Sequence, residues 1–335
     1  MSHDSPLIGI LKSKLFVLLA FLALLTIVFS VLTEGQFVAL LNISNIFQTT
    51  SVIGLLAVGA GALMIAGHID LSAGGVGTMC ALLCAVMVRD GAPWWVGVLV
   101  STLLGGLIGL LNAFLINKLH FQSFIATLAM AQVTEGLSYL ICNSRPVPVL
   151  DEVLTFVGGG RFFGYIPYSV VLIVAAFVVY ALLLNRTRFG RSVYLVGANP
   201  EASRLAGLRP KRLMYALFAN SGALAAIAGI LLMSRVGSAN ATGITKNQFS
   251  GITAAVLGGI SFGGGIGGMS GAFVGLLILG SFNNAMTLLG MDAYLQTTAS
   301  GALLVVALMV DFFVVRRGRQ RIRPAHGTEG GETKP

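Results

Sequence analysis

Two acidic side chains stand where the sequence has little else that ionises. Asp70 lies in AGHIDLSAG, Ala66 to Gly74, between two apolar runs and among glycines. Glu135, within FIATLAMAQVTEGLSYLI, is the only acid placed well inside an expected membrane span. A carboxylate at that depth is costly unless it is protonated, paired or facing water. Asp70 reads in two ways: it caps a helix beginning at Leu71, or, with Ser72, it marks a broken helix whose free backbone lines a polar path. Glu135 reads either as lining such a path or as a protonated carboxyl bonded to a neighbouring helix, since no expected span has an interior Lys or Arg to pair with it. Asn283 and Asn284, in GSFNNAMTLLG, add two amides for the same path or for helix-to-helix hydrogen bonds. The spans offer no nucleophile-and-base set. His3, His68, His120 and His326 are scattered, and Cys80, Cys84 and Cys142 lack metal or redox spacing, so the cysteines read as small buried apolar residues.

The elements that must hold these groups are membrane helices. Of 335 residues, 56% are hydrophobic, 10% are charged and 43 are glycine, and apolar runs recur along the whole length. Spans are expected near residues 15–33, 50–67, 72–88, 95–116, 121–141, 167–184, 212–233, 251–262, 268–288 and 296–314, the eighth too short to cross unaided. The first follows Lys12 and Lys14 and is succeeded by SVLTEG, which lacks a small-residue cleavage site, so it reads as a retained helix. The fold class is an all-α polytopic membrane protein with both termini cytosolic. Residues 1–14 form the N-terminal segment, 15–314 one transmembrane domain that includes the cytosolic loop 186–212, and 315–335 a short disordered tail.

The net charge of +9 reports orientation rather than nucleic-acid binding. With the N-terminus inside and ten crossings, 16 of the 21 basic residues fall inside, and only Arg89, Arg145, Arg161, Arg235 and Lys246 remain outside. Inverting the topology spoils that asymmetry. Trp94 and Trp95 then sit at the outer interface, and the connector from Asn143 to Ile166 is an external loop of a length that usually has a use.

The same orientation makes RTRFGRSVYLVGANPEASRLAGLRPKR, Arg186 to Arg212, a cytosolic insert. It contains a punctuated helix: Asn199 as N-cap, Pro200 at the first position, Glu201 complementing the dipole, then Ala202, Ser203, Arg204, Leu205 and Ala206, with Gly207 as the stop. Either it docks a cytosolic partner or it is a loop whose arginines only fix topology. GGGIGG, Gly263 to Gly268, satisfies a dinucleotide-binding pattern by letter, but no strand-to-helix unit surrounds it. Gly263, Gly267, Gly271 and Gly275 recur every four residues and are expected on one helix face, packing another helix closely; Gly105 and Gly109 make a shorter version.

SVIGLLAVGAGALMIAGHIDLSAG, FQSFIATLAM, RTRFGRSVYLVGANPEASRLAGL and AAVLGGISFGGGIGGMSGAFVGLLILGSFNNAMTLLGM occur in that order and together resemble the permease subunits of ABC importers for ribose and related monosaccharides, in a superfamily shared with branched-chain amino-acid permeases. His68 departs from the family's usual glycine, and the GGGIGG region is richer in glycine than its common form. The resemblance implies an inner-membrane subunit of ten helices and a periplasmic sugar-binding protein outside. It also implies a second permease copy, and two ATPase subunits that hold ATP and Mg while this subunit holds no cofactor. It makes the Asn199 to Gly207 helix the element that couples to the ATPase. Five helices per half imply inverted halves, by parity. The chain has no Walker A sequence. A branched-chain amino-acid permease and a proton-coupled transporter using Glu135 or Asp70 are the rival readings.

Overall fold

A computed structural model describes residues 14–322. The expected cytosolic N-terminal segment up to residue 13 and the tail beyond residue 322 lie outside the described residues.

Thirteen helices occur among the described residues: α1 (Lys14–Leu32), α2 (Leu40–Ile65), α3 (Ala73–Arg89), α4 (Trp94–Leu119), α5 (Ser123–Cys142), α6 (Glu152–Gly159), α7 (Tyr168–Arg186), α8 (Arg188–Ala198), α9 (Pro200–Leu205), α10 (Pro210–Val236), α11 (Gln248–Leu257), α12 (Met269–Leu288) and α13 (Ala293–Ile322). Seven of them, α1, α2, α4, α5, α7, α10 and α12, are long and apolar enough to cross a membrane, and α3 and residues 293–309 of α13 are shorter apolar helices. Four two-residue strands complete the fold, paired as β1 (Val147–Pro148) with β4 (Ser238–Ala239) and β2 (Arg161–Phe162) with β3 (Ile166–Pro167). The first pairing ties the connector after α5 to the segment after α10.

α2 is the central helix. It is buried along most of its length and packs against α7, α10, α11 and α12, as suits a helix apolar all round. It begins at Leu40, ten residues before the expected start, because its polar letters satisfy themselves. The hydroxyls of Thr50 and Ser51 donate to the carbonyls of Ile46 and Phe47, each at 2.7 Å, so the helix continues through them.

The packing repeats. α3 contacts α4, α5 and α10, and α11 contacts α12, α13 and α2; α4 contacts α10 and α5, and α12 contacts α2 and α13. Exchanging α2 with α10, α3 with α11, α4 with α12 and α5 with α13 reproduces every one of these contacts.

Two sequence expectations are corrected. The run of glycines is not one helical stripe: α11 ends at Leu257 and α12 begins only at Met269, so Gly263 and Gly267 lie in the intervening turn. Gly264, Gly265 and Gly267 there have φ of +76°, +71° and +113°, a region only glycine adopts without strain. Gly271 and Gly275 are on α12 and meet Gly258 and Ala254 closely, as helix-packing glycines. α13, moreover, stays helical to Ile322, past residue 314 where the last span was expected to end and the tail to begin. The connector from Asn143 to Ile166, expected as an external loop, holds α6, whose cap is the Asp151 carboxylate accepting from the Leu154 N–H at 2.9 Å. The three cysteines are buried and free.

Candidate translocation and coupling site

Between α2 and α3 the chain leaves the helix at Ala66 and resumes at Ala73. Asp70 sits in this break and is buried. It does not cap a helix starting at Leu71, because α3 starts two residues later. Its Oδ1 instead accepts from the Ser72 N–H at 2.8 Å and the Ser72 hydroxyl at 2.6 Å, and its Oδ2 accepts from the Ser221 hydroxyl of α10 at 2.8 Å. The Ser72 oxygen in turn accepts from Asn112 Nδ2 of α4 at 2.8 Å, and the Leu71 N–H donates to the Thr127 hydroxyl of α5 at 3.0 Å. Asp70 therefore lies at the positive N-terminal end of α3 with three donors, and α3, α4, α5 and α10 converge on one buried polar cluster. His68, the departure from the family pattern, packs beside Phe218 with ring centroids 6.2 Å apart.

A second break mirrors the first. After α10 the chain runs through Ser238–Ala239 and a short 3-10 turn, Thr245–Asn247, before the ten residues of α11. The start of α11 meets the start of α3: the Gly74 N–H donates to Gln248 Oε1 at 3.0 Å. The Ile244 N–H donates to the Thr78 hydroxyl at 3.0 Å, and the Thr78 and Thr245 hydroxyls lie 3.2 Å apart. A helix start leaves N–H groups without intrahelical partners, and here Gln248 of α11 supplies the acceptor for one at the start of α3.

The Arg186 to Arg212 insert forms two helices, of which sequence reasoning found one. α8 is capped by Thr187, whose hydroxyl accepts from the Gly190 N–H at 3.1 Å, and it buries Gly190, Val193, Val196 and Gly197 on one side. α9 follows as expected. Asn199 Oδ1 accepts from the Ala202 N–H at 3.0 Å, Pro200 takes the first position, and Gly207, at φ +83°, ends the segment. Arg204 pairs with Glu201 at 2.7 Å, Ser203 is buried, and Leu205 is 82% exposed.

α8 holds the first break and the turn that follows α11. Gly197 packs so tightly on the end of α2 that a Cβ there would overlap the Ile65 carbonyl oxygen and lie 2.7 Å from the Gly265 nitrogen. The Gly265 N–H donates to the same Ile65 carbonyl at 2.8 Å, and the Tyr194 hydroxyl donates to the Gly267 carbonyl at 2.9 Å. Burial pushes the Tyr194 hydroxyl pKa up from its ordinary value. One helix thus grips the end of α2 and the turn between α11 and α12.

A family model described as the permease component of branched-chain amino acid transport systems matches residues 42–308. The chain belongs to this permease family. The matched stretch runs from α2 into α13 and includes both breaks and α8–α9. The permease is 36% identical over 276 residues to the L-arabinose transport system permease protein AraH of Escherichia coli K12, covering 82% of this chain and 84% of that one. It is 34% identical over 292 residues to the ribose import permease protein RbsC of Bacillus subtilis 168, covering 87% and 90%. It is also 34% identical over 307 residues to the probable ABC transporter permease protein YphD of Escherichia coli K12, covering 91% and 92%. No solved structure matches. The permease is a multi-pass membrane protein and a transport component.

The remaining sequence candidates of the permease are dispersed. Glu135 is half-buried on α5 beside Thr134, which packs on Gly75 of α3, and no salt bridge reaches it among the described residues. Asn284 forms a reciprocal amide pair with Asn42 of α2, at 2.9 and 3.0 Å, so it joins helices. Asn283 Oδ1 accepts from Ser300 of α13 at 2.9 Å. Only Asp70 and Ser72 come together. Asn112, Ser221, Thr78, Thr245 and Gln248 were missed; the available signal was a lone amide or hydroxyl inside an apolar window, a letter that membrane helices also tolerate for packing.

Proposed function

We propose that the permease is the membrane-spanning subunit of an ATP-driven importer that carries a monosaccharide or related polyol across the bacterial inner membrane. The names of the arabinose and ribose relatives support the substrate class. The observation that carries the mechanism is the grip of α8 on the end of α2 and on the turn between α11 and α12, which gives the exposed tip at Leu205 a route into the membrane core. Ten crossings, with α3, α11 and α13 added to the seven long helices, put Arg188, Arg191, Arg204 and the start of α10 inside, in keeping with the positive-inside pattern. The mirrored packing of α2 to α5 and α10 to α13 supports two halves of opposite orientation.

In this reading the partner ATPase subunits hold ATP and Mg, and a periplasmic binding protein delivers the sugar to a pair of permease copies. Closure of the ATPases displaces α9. α8 moves with it and shifts the ends of α2 and α11 together, so the meeting of the α3 and α11 starts changes at mid-membrane and the route opens inward. Asp70 holds the break in shape.

The test is gene-dependent uptake of labelled monosaccharides, with leucine included for the amino-acid reading, under ATP depletion or under a protonophore. Uptake of one sugar that collapses on ATP depletion and survives the protonophore is the expected result; uptake that follows the proton gradient defeats it. Leu205→Glu probes the contact with the ATPase. An exposed substitution costs at most about 0.5 kcal/mol of stability, whereas a lost interface anchor costs about 2 kcal/mol or more. Membrane levels by immunoblot are expected unchanged, and uptake is expected to fall roughly tenfold or more.

A further inference from the structure

A second polar feature lies away from the Asp70 cluster. α11, α12 and α13 enclose an open groove of about 890 Å3, within the range of about 300–1,000 Å3 usual for small-molecule sites. Thr253 of α11, Asn283 of α12 and Thr297 and Ser300 of α13 line it together with the rings of Phe249 and Tyr294, which are 56% and 86% exposed. No carboxylate lines it, and Lys246 at its margin is the one ammonium among its walls.

The hydrogen bonds fix what this surface offers. Thr253 and Thr297 donate their hydroxyl hydrogens to their own helix carbonyls, Phe249 O at 2.7 Å and Ala293 O at 2.9 Å, and Ser300 donates to Asn283 Oδ1. Three hydroxyl oxygens are thereby left as acceptors, while the Asn283 amide nitrogen remains a donor. The Asn283 amide and the Lys246 ammonium are poor neighbours for hydrocarbon, so their side of the groove faces water or a polar guest, while Leu279 and Leu304 make another part of the wall apolar. Acceptors, the amide donors of Asn283 and Gln296 and two aromatic faces suit a neutral polyol, which donates from its hydroxyls and lays its C–H face on a ring.

We infer that this groove is the outer half of the sugar's route, with Thr253, Thr297 and Ser300 accepting the sugar hydroxyls and Phe249 and Tyr294 bearing its apolar face. The inference rests on the importer reading and its orientation, which put the end of α12 and the start of α13 on the outside. Thr253 lies deeper, so the groove leads from the mouth towards the meeting of α3 and α11.

The experiment uses the intact importer in cells. Thr253→Val with Thr297→Val removes two acceptors at constant shape and is expected to lower uptake about tenfold at unchanged membrane levels; the Thr253→Ser, Thr297→Ser pair restores both oxygens and is expected to transport normally. Thr297→Cys, in a chain whose three cysteines are alanine, is expected to react from outside with a membrane-impermeant methanethiosulfonate, to lose uptake, and to react more slowly when sugar is in excess. Full uptake by the double valine variant overturns the inference, as does Thr297→Cys that stays unmodified by mass or that is modified without loss of transport. Absence of any monosaccharide uptake by the wild type instead brings down the importer reading, and the inference with it.

Discussion

Asp70→Ala is expected to abolish uptake and to deplete the permease from the membrane fraction. The substitution removes the acceptor of three hydrogen bonds inside a closed cluster, from the Ser72 backbone, the Ser72 hydroxyl and the Ser221 hydroxyl. A buried donor left unpaired costs about 1–3 kcal/mol, and three together approach the about 5–15 kcal/mol that holds a typical domain folded. Asp70→Asn separates structure from charge: its amide oxygen still accepts from both Ser72 donors, and Ser221 can turn its hydroxyl to accept. Immunoblots of membranes heated in steps are expected to show Asp70→Ala lost early and Asp70→Asn near wild type. Wild-type levels and full uptake in Asp70→Ala would show that the cluster does not hold the break.

Gly197→Val is expected to leave the permease in the membrane and silence it. The new Cβ would overlap the Ile65 carbonyl oxygen and crowd the Gly265 nitrogen, and both neighbours are backbone that cannot swing aside. Overpacking of this kind costs about 3 kcal/mol, enough for a roughly hundredfold loss of the docked arrangement of α8. The long apolar helices insert on their own hydropathy, so the protein persists. In the purified complex, stimulation of ATP hydrolysis by the sugar-loaded binding protein is expected to vanish along with uptake. Gly159→Val is the control, since a Cβ there meets nothing within 4 Å. Normal uptake by Gly197→Val would mean that force does not pass through this contact.

How much of this was written legibly in the sequence depends on what each element reports. Runs of apolar letters gave the long helices, because burial in lipid needs only composition and length. Asn199, Pro200 and Gly207 gave α9, because capping is local chemistry. The start of α2 was hidden, since Ser44, Gln48, Thr50 and Ser51 look like a loop until their neighbours bury them. α8 was hidden too: its apolar face is made of glycines and valines among arginines, and what that face touches lies more than a hundred residues away in Ile65. The glycine run misled for a related reason. Spacing by four implies a shared face only if the chain is helical throughout, and positive φ at Gly264, Gly265 and Gly267 shows where it is not. The Asp70 cluster was half legible, the acid by its rarity and its partners not at all, because they arrive from α4, α5 and α10.

The shortness of α11 bears on how the permease is made. Its ten residues span about 15 Å, half the hydrocarbon thickness, and the approach to it from Asn240 to Asn247 carries non-α-helical backbone that lipid cannot solvate. Such a segment cannot leave the insertion machinery as a span in its own right. α10 and α12 must already flank the site, and α2 and α3 must be waiting with Thr78 and Gly74 to receive it, so the half-helix threads in late. A ribosome that has just finished α11 holds an incomplete protein, and the half-helix is expected to take its seat only after α12 has emerged.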